Sequence, residues 1–222
     1  MALLHRAELT PSKTELLDGW APGHPWFVGE PGVALTTVGA FRFDDPEGEV
    51  GVETLLVRAG DGPTMQVPLT YRGAPLEGGE AALIGTMQHS VLGKRWVYDG
   101  AGDPVYLLTT AAAALSGGHQ AALYVDIDGE RVEREPTALV SGTGHGPADL
   151  VLPAAAETSL RDEEGMTIVE TPTSVLVIRR VPGGPAIERP ASVTGDFSAE
   201  ALLTGTWSGV SEPHALVRVS SR

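Results

Sequence analysis

The residues best suited to chemistry lie in one short stretch, "HSVLGKRWVYDGAGDPVY", at positions 89–106. It combines a histidine, a basic pair, aromatic rings and two aspartates. An indole face stacks on the C–H groups of a sugar, and carboxylates accept hydrogen bonds from sugar hydroxyls. The candidate sugar-binding residues are therefore His89, Arg95, Trp96, Tyr98 and Asp99.

The same stretch also fits a structural role. Trp96 and Tyr98 alternate with Val97 as in a β-strand, which would place both rings on the core face. Only 5% of the residues are aromatic, and rings this scarce are usually needed to build a core. Asp103, directly before Pro104, has the position of a helix N-cap. The pattern favours the structural role and leaves the sugar site as the alternative.

Other candidate motifs lack the spacing that their chemistry requires. In "DIDGE" (126–130) the glycine arrives too early for a calcium loop, so a tight turn is expected. "GTGHGP" (142–147) matches neither phosphate-binding glycine pattern and is expected to be a loop. The six histidines have no local metal-binding spacing, cysteine is absent, and no G-x-S-x-G elbow occurs. We expect no catalytic residue, no metal and no cofactor.

The composition argues against two classes of partner. With 29 acidic and 15 basic side chains, the formal net charge is −14, which repels nucleic-acid phosphates and anionic lipid headgroups. The first ten residues are not typical of a signal peptide, and no apolar run is long enough to span a membrane. We therefore expect no nucleic-acid or membrane partner. The absence of cysteine fits a cytoplasmic location.

Capping signals predict two helices. Thr10 as N-cap with Pro11 in the first helical position should open "TPSKTELLDGW". Asp103 and Pro104 repeat this signal before "PVYLLTTAAAALS", whose alanine and leucine content favours a helix. Gly117 follows this segment and should end it.

The rest of the chain is typical of antiparallel β-structure. Segments 33–43, 50–58 and 64–72 are separated by short turns and predict a meander, in which Pro68 indicates an edge strand or a bulge. Further strands are expected on either side of Gly93, in a hairpin around Asp128-Gly129, and, about four in number, in segments 166–181 and 201–221. The elements together predict an α+β fold, mostly antiparallel sheet with two packed helices.

Residues 137–165 have the most linker-like composition, rich in glycine, proline and small polar residues. We therefore divide the chain into residues 1–136 and a β-rich C-terminal extension, residues 137–222. The pattern does not decide whether this extension folds separately or completes the same sheet.

Residues 66–106, "QVPLTYRGAPLEGGEAALIGTMQHSVLGKRWVYDGAGDPVY", resemble the N-terminal cap domain of actinobacterial maltokinases. The shared features are the "VPLTYR.APL" strand and turn, the "GT" step and the "RWVYD…DPV" run. The hairpin "GEVGVETLLV" and the opening helix with its following tryptophan fit the same domain. The resemblance covers roughly the first 130 residues. The sequence also resembles small stand-alone actinobacterial proteins that are similar to this cap domain.

The resemblance implies a cystatin-like cap with a curved antiparallel sheet, followed here by additional strands. It also implies a setting in maltose, trehalose or glycogen metabolism. In maltokinases the cap precedes a kinase domain, whose chemistry needs a catalytic Asp, a magnesium-binding Asn and a strand Lys. These 222 residues contain no asparagine, and Lys13 and Lys94 are their only lysines. Neither lysine lies in a V-A-I-K-like strand, so we expect no kinase activity from this chain alone.

The leading hypothesis is a non-catalytic binding or regulatory protein. Its partner would be an enzyme of α-glucan or trehalose metabolism, a kinase, or a second copy of the chain. The alternative is a small carbohydrate-binding or carbohydrate-processing protein that uses the five candidate residues. A (β/α)₈ glycan enzyme needs about 250 residues of alternating strands and helices, which this chain lacks. A hydrolase within residues 137–222 has no motif to support it.

Overall fold

The computed structural model describes residues 2–4, 8–30, 32–127, 130–146, 153–163 and 165–222. Within these ranges the chain forms two α-helices and three β-sheets, most of whose strands pair antiparallel. The predicted α+β class, with curved and mostly antiparallel sheet, is confirmed.

Two sets of elements follow each other along the chain. The first comprises β1 (Ala2–Leu4), β2 (Leu9–Thr10), α1 (Lys13–Trp20), β3 (Leu35–Phe43), β4 (Gly51–Ala59), β5 (Met65–Arg72), β6 (Leu83–His89), β7 (Gly93–Asp99) and α2 (Pro104–Ser116). The second comprises β8 (Leu123–Ile127), β9 (Glu130–Arg134), β10 (Ala138–Gly142), β11 (Ser159–Glu163), β12 (Met166–Glu170), β13 (Ser174–Arg179), β14 (Ala199–Trp207) and β15 (Val210–Ser221).

The N-terminal sheet has the strand order β2-β6-β7-β5-β4-β3. The predicted meander, β3 to β5, and the two strands around Gly93 are confirmed. The prediction that Pro68 marks an edge strand was wrong for β5 as a whole, because β5 lies between β7 and β4. Pairing with β7 begins only at Leu69, so Pro68, which has no N–H to donate, has no β7 partner.

The C-terminal sheet has the strand order β10-β14-β15-β13-β12-β11 and is separate from the N-terminal sheet. Four of its strands, β12 to β15, lie in the segments predicted to be strands. The linker-like segment 137–165 also contains β10 and β11, so it is not only a connection. A small third sheet pairs β1 with the β8–β9 hairpin. The predicted turn at Asp128 and Gly129 lies outside the described residues.

Helix α1 begins two residues later than predicted. Thr10 lies in β2 and pairs with Gln88 of β6, so it is not available as a helix cap. Ser12 is the N-cap instead, and its hydroxyl accepts from the N–H of Glu15, whose carboxylate accepts from the N–H of Ser12. The helix buries Leu17 against the face of the N-terminal sheet that also carries Val97.

Helix α2 begins and ends as the sequence predicts. Asp103 caps it by accepting from the N–H of Val105, and Gly117 ends it with a φ of 72°. The helix lies in a core that both six-stranded sheets share. Contributing side chains from the first sheet, the helix and the second sheet include Phe41, Leu56, Tyr106, Leu107, Leu203 and Leu216.

Three hydrogen bonds from Gln66 also connect the N-terminal sheet to the C-terminal chain, at the part of β5 that lacks a β7 partner. The N–H of Gln66 donates to the carbonyl of Arg180 at 2.7 Å. Its side-chain amide donates to the carbonyls of Arg179 and Leu216, each at 3.2 Å. The C-terminal chain therefore satisfies backbone and side-chain donors of the N-terminal sheet that would otherwise lie buried without partners.

Candidate functional site

The five candidate sugar-binding residues lie on the β6–β7 hairpin, but they do not share one face. Strand alternation places Trp96 and Tyr98 on one face of β7 and Arg95 and Asp99 on the other. His89 lies at the end of β6, where its Nδ1 accepts from the N–H groups of Val91 and Leu92. The structure therefore brings these side chains together along the chain but not around a common cleft.

The two aromatic candidates differ in exposure. Tyr98 is buried, and its hydroxyl accepts a 2.8 Å hydrogen bond from the N–H of Leu76. Trp96 is half-buried, and the ammonium group of Lys94 lies 4.6 Å from the centroid of its ring. Tyr98 is thus part of the scaffold, whereas Trp96 remains partly accessible beside a cation.

Asp99 links the two sheets. Its carboxylate accepts from the N–H of Ala101 at 3.1 Å and from Nη2 of Arg180 at 2.5 Å. Arg180 is fully buried, donates from Nε to the hydroxyl of Thr167 and lies with its guanidinium 4.8 Å from the centroid of the Trp26 ring. The carboxylate is therefore neutralised by an arginine 81 residues further along the chain.

Asp103 is equally committed to the fold. In addition to capping α2, its carboxylate accepts two hydrogen bonds from Arg72, both at 2.7 Å, and one from the hydroxyl of Thr70. This hydrogen bonding raises the pKa of Arg72 above its ordinary value. With the cap bond included, four donor groups converge on this one buried carboxylate, which suits a structural role.

A further buried charged group, which the sequence did not reveal, lies beside α1. Glu53 is buried and accepts from Lys13 at 2.5 Å and from the hydroxyl of Tyr71 at 2.8 Å. Burial alone would raise the pKa of Glu53, but the charges of Lys13 and Arg42 and the two hydrogen bonds outweigh it. The pKa therefore lies below its ordinary value, whereas burial next to Glu53 raises that of Tyr71 well above it.

An aromatic cluster follows α1, and sequence reasoning missed this one too. The ring of His24 lies 4.1 Å from that of Trp20 and 5.3 Å from that of Trp26, measured between centroids. Its Nδ1 is 4.0 Å from Oδ2 of Asp162 in the C-terminal sheet. Burial lowers the pKa of His24 despite the nearby carboxylates, so the ring is neutral at pH 7. Three aromatic residues within seven positions were the available sequence signal.

These arrangements hold the fold together and offer little reactive chemistry. Among the described residues, no group of three or more histidine or acidic side chains is placed to hold a metal ion. In the described part of the chain the buried carboxylates are Asp99, Asp103 and Glu53, and all three accept hydrogen bonds from cationic side chains. What the β6–β7 hairpin does offer is its tip, where Val91 is 57% exposed and Leu92 is 47% exposed.

Residues 20–103 match the model of the maltokinase N-terminal cap domain. The match spans less than half of the 222 residues and includes β3 to β7. It confirms the resemblance carried by residues 66–106, extends it back to Trp20 and ends directly before α2, short of the predicted residue 130. No curated protein matches the chain. None of the helices in the described ranges has both the length and the apolar character needed to span a bilayer.

Proposed function

Because residues 20–103 are similar to the maltokinase N-terminal cap domain, we propose that this chain is a non-catalytic, cap-like binding protein. Its role would be to bind or regulate a protein partner in maltose, trehalose or glycogen metabolism, in the cytoplasm of an actinobacterium. A second copy of the chain is one such partner. In this proposal the cap supplies a surface and takes no part in a reaction.

The observation that carries the proposal is the contrast within one hairpin. Its one acidic side chain, Asp99, is buried and hydrogen-bonded to Arg180, while its tip exposes Val91 and Leu92 to solvent. Among the exposed large apolar residues of the described ranges, Val91 and Leu92 are the only two that are adjacent in the chain, and contiguous exposed apolar surface is where partners bind. The charged group of the hairpin is thus used inside the fold, whereas its exposed groups are apolar, and this favours binding over catalysis.

A kinase role for these residues has no support from their composition. Magnesium-assisted phosphoryl transfer of the maltokinase type needs an Asn that this chain lacks. Of its two lysines, Lys13 is paired with Glu53 and Lys94 lies over the Trp96 ring. We expect no ATP-dependent phosphorylation of maltose by the purified chain.

The alternative, a sugar site on His89, Arg95, Trp96, Tyr98 and Asp99, has less support. A sugar would have to compete with the Leu76 N–H for Tyr98 and with Arg180 for Asp99. Thermal-shift measurements with maltose, trehalose, glucosamine and glycogen distinguish the two proposals. A ligand at a hundred times its dissociation constant stabilises by about 2.7 kcal/mol. We expect no shift with any of the four. A shift that Trp96→Ala abolishes would favour the sugar site.

An affinity experiment with matched baits tests the partner-binding proposal. The baits are the tagged chain, a V91D/L92D variant and an L139D control, because Leu139 is also exposed, at 55%, but lies on β10 in the C-terminal sheet. We expect an enzyme of α-glucan or trehalose metabolism, or the untagged chain, to co-purify with wild type and L139D but not with V91D/L92D. If wild type retains nothing and is a monodisperse monomer by light scattering, the proposal fails.

A further inference from the structure

The β6–β7 hairpin projects beyond its neighbour β5, while on the other side β2 pairs with β6 as far as His89. Strand β7 pairs with β5 only from Trp96 to Asp99, but it continues to Gly93 with β6 alone as partner. Three further residue pairs therefore extend past the end of β5, a distance of about 10 Å. We call this projection, residues 88–95, the basic tip.

The hairpin segment that carries the basic tip has no acidic residue of its own. Residues 81–98 contain no aspartate or glutamate, although the chain has 29 acidic residues and a net charge of −14. The acidic residue beside it is Glu8, whose backbone bonds Ser90. Lys94 is exposed beside Val91 and Leu92, so the tip presents apolar surface together with a positive charge. Such a surface fits a partner that offers carboxylates.

The conformation of the basic tip is fixed by its own hydrogen bonds. His89 accepts from the two N–H groups of the turn, and Nη2 of Arg95 donates to the carbonyl of Leu92 at 2.7 Å. Ser90 exchanges hydrogen bonds with the backbone of Glu8, both at 3.0 Å. A turn held in this way loses little conformational entropy when it binds.

The complementary feature lies at the same end of the same sheet. The β3–β4 turn, "DDPEGE" at residues 44–49, is called here the acidic turn. The carboxylate of Asp45 accepts from the N–H groups of Glu47, Glu49 and Val50 and so fixes the turn. The side chains of Glu47 and Glu49 remain exposed.

Strand pairing shows how the two features are placed. Gly51, at the start of β4, pairs with Tyr71, and Tyr71 pairs with Val97. The acidic turn and the basic tip therefore lie at one end of the sheet. Their strands β4 and β7 are separated by β5, which places the two strands roughly 10 Å apart across the sheet. The basic tip reaches four residues of β7 beyond Val97. At this end of the sheet the basic tip therefore extends further along the strand direction than the acidic turn does.

We propose that this end is a self-association surface, on which the basic tip of one copy binds the acidic turn of a second copy. The proposal rests on the proposed function and names its partner. A twofold axis forms the contact twice, because each copy carries one basic tip and one acidic turn. The tip of each copy then binds the turn of the other. In each contact Lys94 approaches Glu47 and Glu49 of the other copy, and Val91 and Leu92 are covered.

The contact is small, and the dimer should therefore be weak. Two tips and two turns bury less than the roughly 1,200 Å² that marks standard interfaces, which places the dimer among transient complexes. A dissociation constant on the order of micromolar is expected. The monomer–dimer equilibrium is then measurable by sedimentation across a micromolar concentration series.

The first test compares wild type, Leu92→Asp and Leu139→Asp by sedimentation velocity. We expect Leu92→Asp to raise the dissociation constant about tenfold or more and Leu139→Asp to leave it within about twofold. Both variants add one negative charge at an exposed leucine, so only the location differs. Equal weakening by both variants, or by neither, overturns the proposal.

The second test is a charge exchange that does not depend on the apolar residues. Lys94→Glu and Glu47→Lys should each weaken the dimer about tenfold, whereas the double variant should recover most of the loss. Glu212→Lys, an exposed charge reversal on β15, is the control and should have no effect. Failure of the double variant to recover affinity overturns the assignment of these two features.

The outcome for the dimer is separable from that for the proposed function. A monomer at every concentration overturns the inference. If the wild-type bait still retains a metabolic enzyme, partner binding stands without self-association. If the bait retains nothing as well, both proposals fail.

Discussion

Arg180 lies fully buried between the two six-stranded sheets, where it donates to Asp99 and to Thr167. Its partner was visible in the sequence as a candidate sugar ligand, but the pairing was not. The two residues are 81 positions apart, and no local periodicity reports a contact at that separation. Sequence patterns identify residues of unusual type, whereas their partners follow only from the arrangement of the sheets.

Replacing Arg180 by methionine should be strongly destabilising, because it leaves the Asp99 carboxylate buried without its cation. We expect a loss of about 3–5 kcal/mol in the free energy of unfolding, measured by urea denaturation at neutral pH. Arg179→Met, which removes only a hydrogen bond to the Gly183 carbonyl at the surface, is the matched control and should cost about 1 kcal/mol.

The double variant Asp99→Asn/Arg180→Met checks the cause of that loss. It removes the unpaired charge and should be less destabilised than Arg180→Met alone. If the double variant is as unstable as the sum of the two single variants, the ion pair is not the reason.

Glu53 should make the stability depend on pH in the acid range. Its pKa in the folded chain lies below the ordinary value of 4.5, so its contribution is full above that value. The contribution is lost as the pH falls through the folded-state pKa. The difference in unfolding free energy between wild type and Glu53→Gln should therefore be largest at neutral pH and shrink below 4.5. A constant difference for Glu53→Gln would contradict this account.

At the scale of elements, local signals were read correctly and non-local ones were not. Asp103, Pro104 and Gly117 mark the ends of α2 because capping depends on neighbouring residues only. Thr10 carried the same signal but pairs with Gln88, so the helix begins at the next suitable cap, Ser12. A competing strand partner cannot be seen from the capping pattern.

The glycines after residue 137 also have a different structural role from the flexible linker that their composition predicts. Gly142 and Gly144 lie against the carbonyls of the last turn of α2, and the N–H of Gly144 donates to the Ala114 carbonyl at 2.9 Å. The glycines allow backbone to approach backbone, so a composition typical of a linker here reflects tight packing.

Gly144→Ala should therefore destabilise the fold. A Cβ at this position would lie 2.0 Å from the carbonyl oxygen of Leu115, and backbone cannot move aside as a flexible side chain can. We expect a loss of about 1–3 kcal/mol, measured by thermal unfolding. Gly146→Ala is the matched control, because nothing lies within 4 Å of its Cβ. Equal stability of the two variants would contradict the packing explanation.

At the scale of the whole molecule, the fold class followed from the sequence but the layering did not. Helix α2 is buried on nearly every side, since it packs against both six-stranded sheets. Its segment "PVYLLTTAAAALS" is apolar all round, with no charged residue, which is typical of a helix enclosed in a core. That signal was available, but it does not say which elements enclose the helix.

The shared core leads us to expect one cooperative unfolding transition. Trp26 lies in the N-terminal sheet's core and Trp207 in the core shared with the C-terminal sheet. Tryptophan fluorescence and far-ultraviolet circular dichroism should therefore give coincident urea curves. Two separated transitions would favour independent folding of residues 1–136 and 137–222.

Hydrogen–deuterium exchange across a concentration series tests the central claim most directly, because it reports which part of the β6–β7 hairpin meets a partner. We predict that amide exchange slows with rising protein concentration in residues 88–95 and 44–49, and that added maltose or glycogen changes nothing. Exchange in both segments that stays constant at every concentration would contradict self-association through this end of the sheet, and protection of β7 by a saccharide would contradict a non-catalytic, protein-binding role.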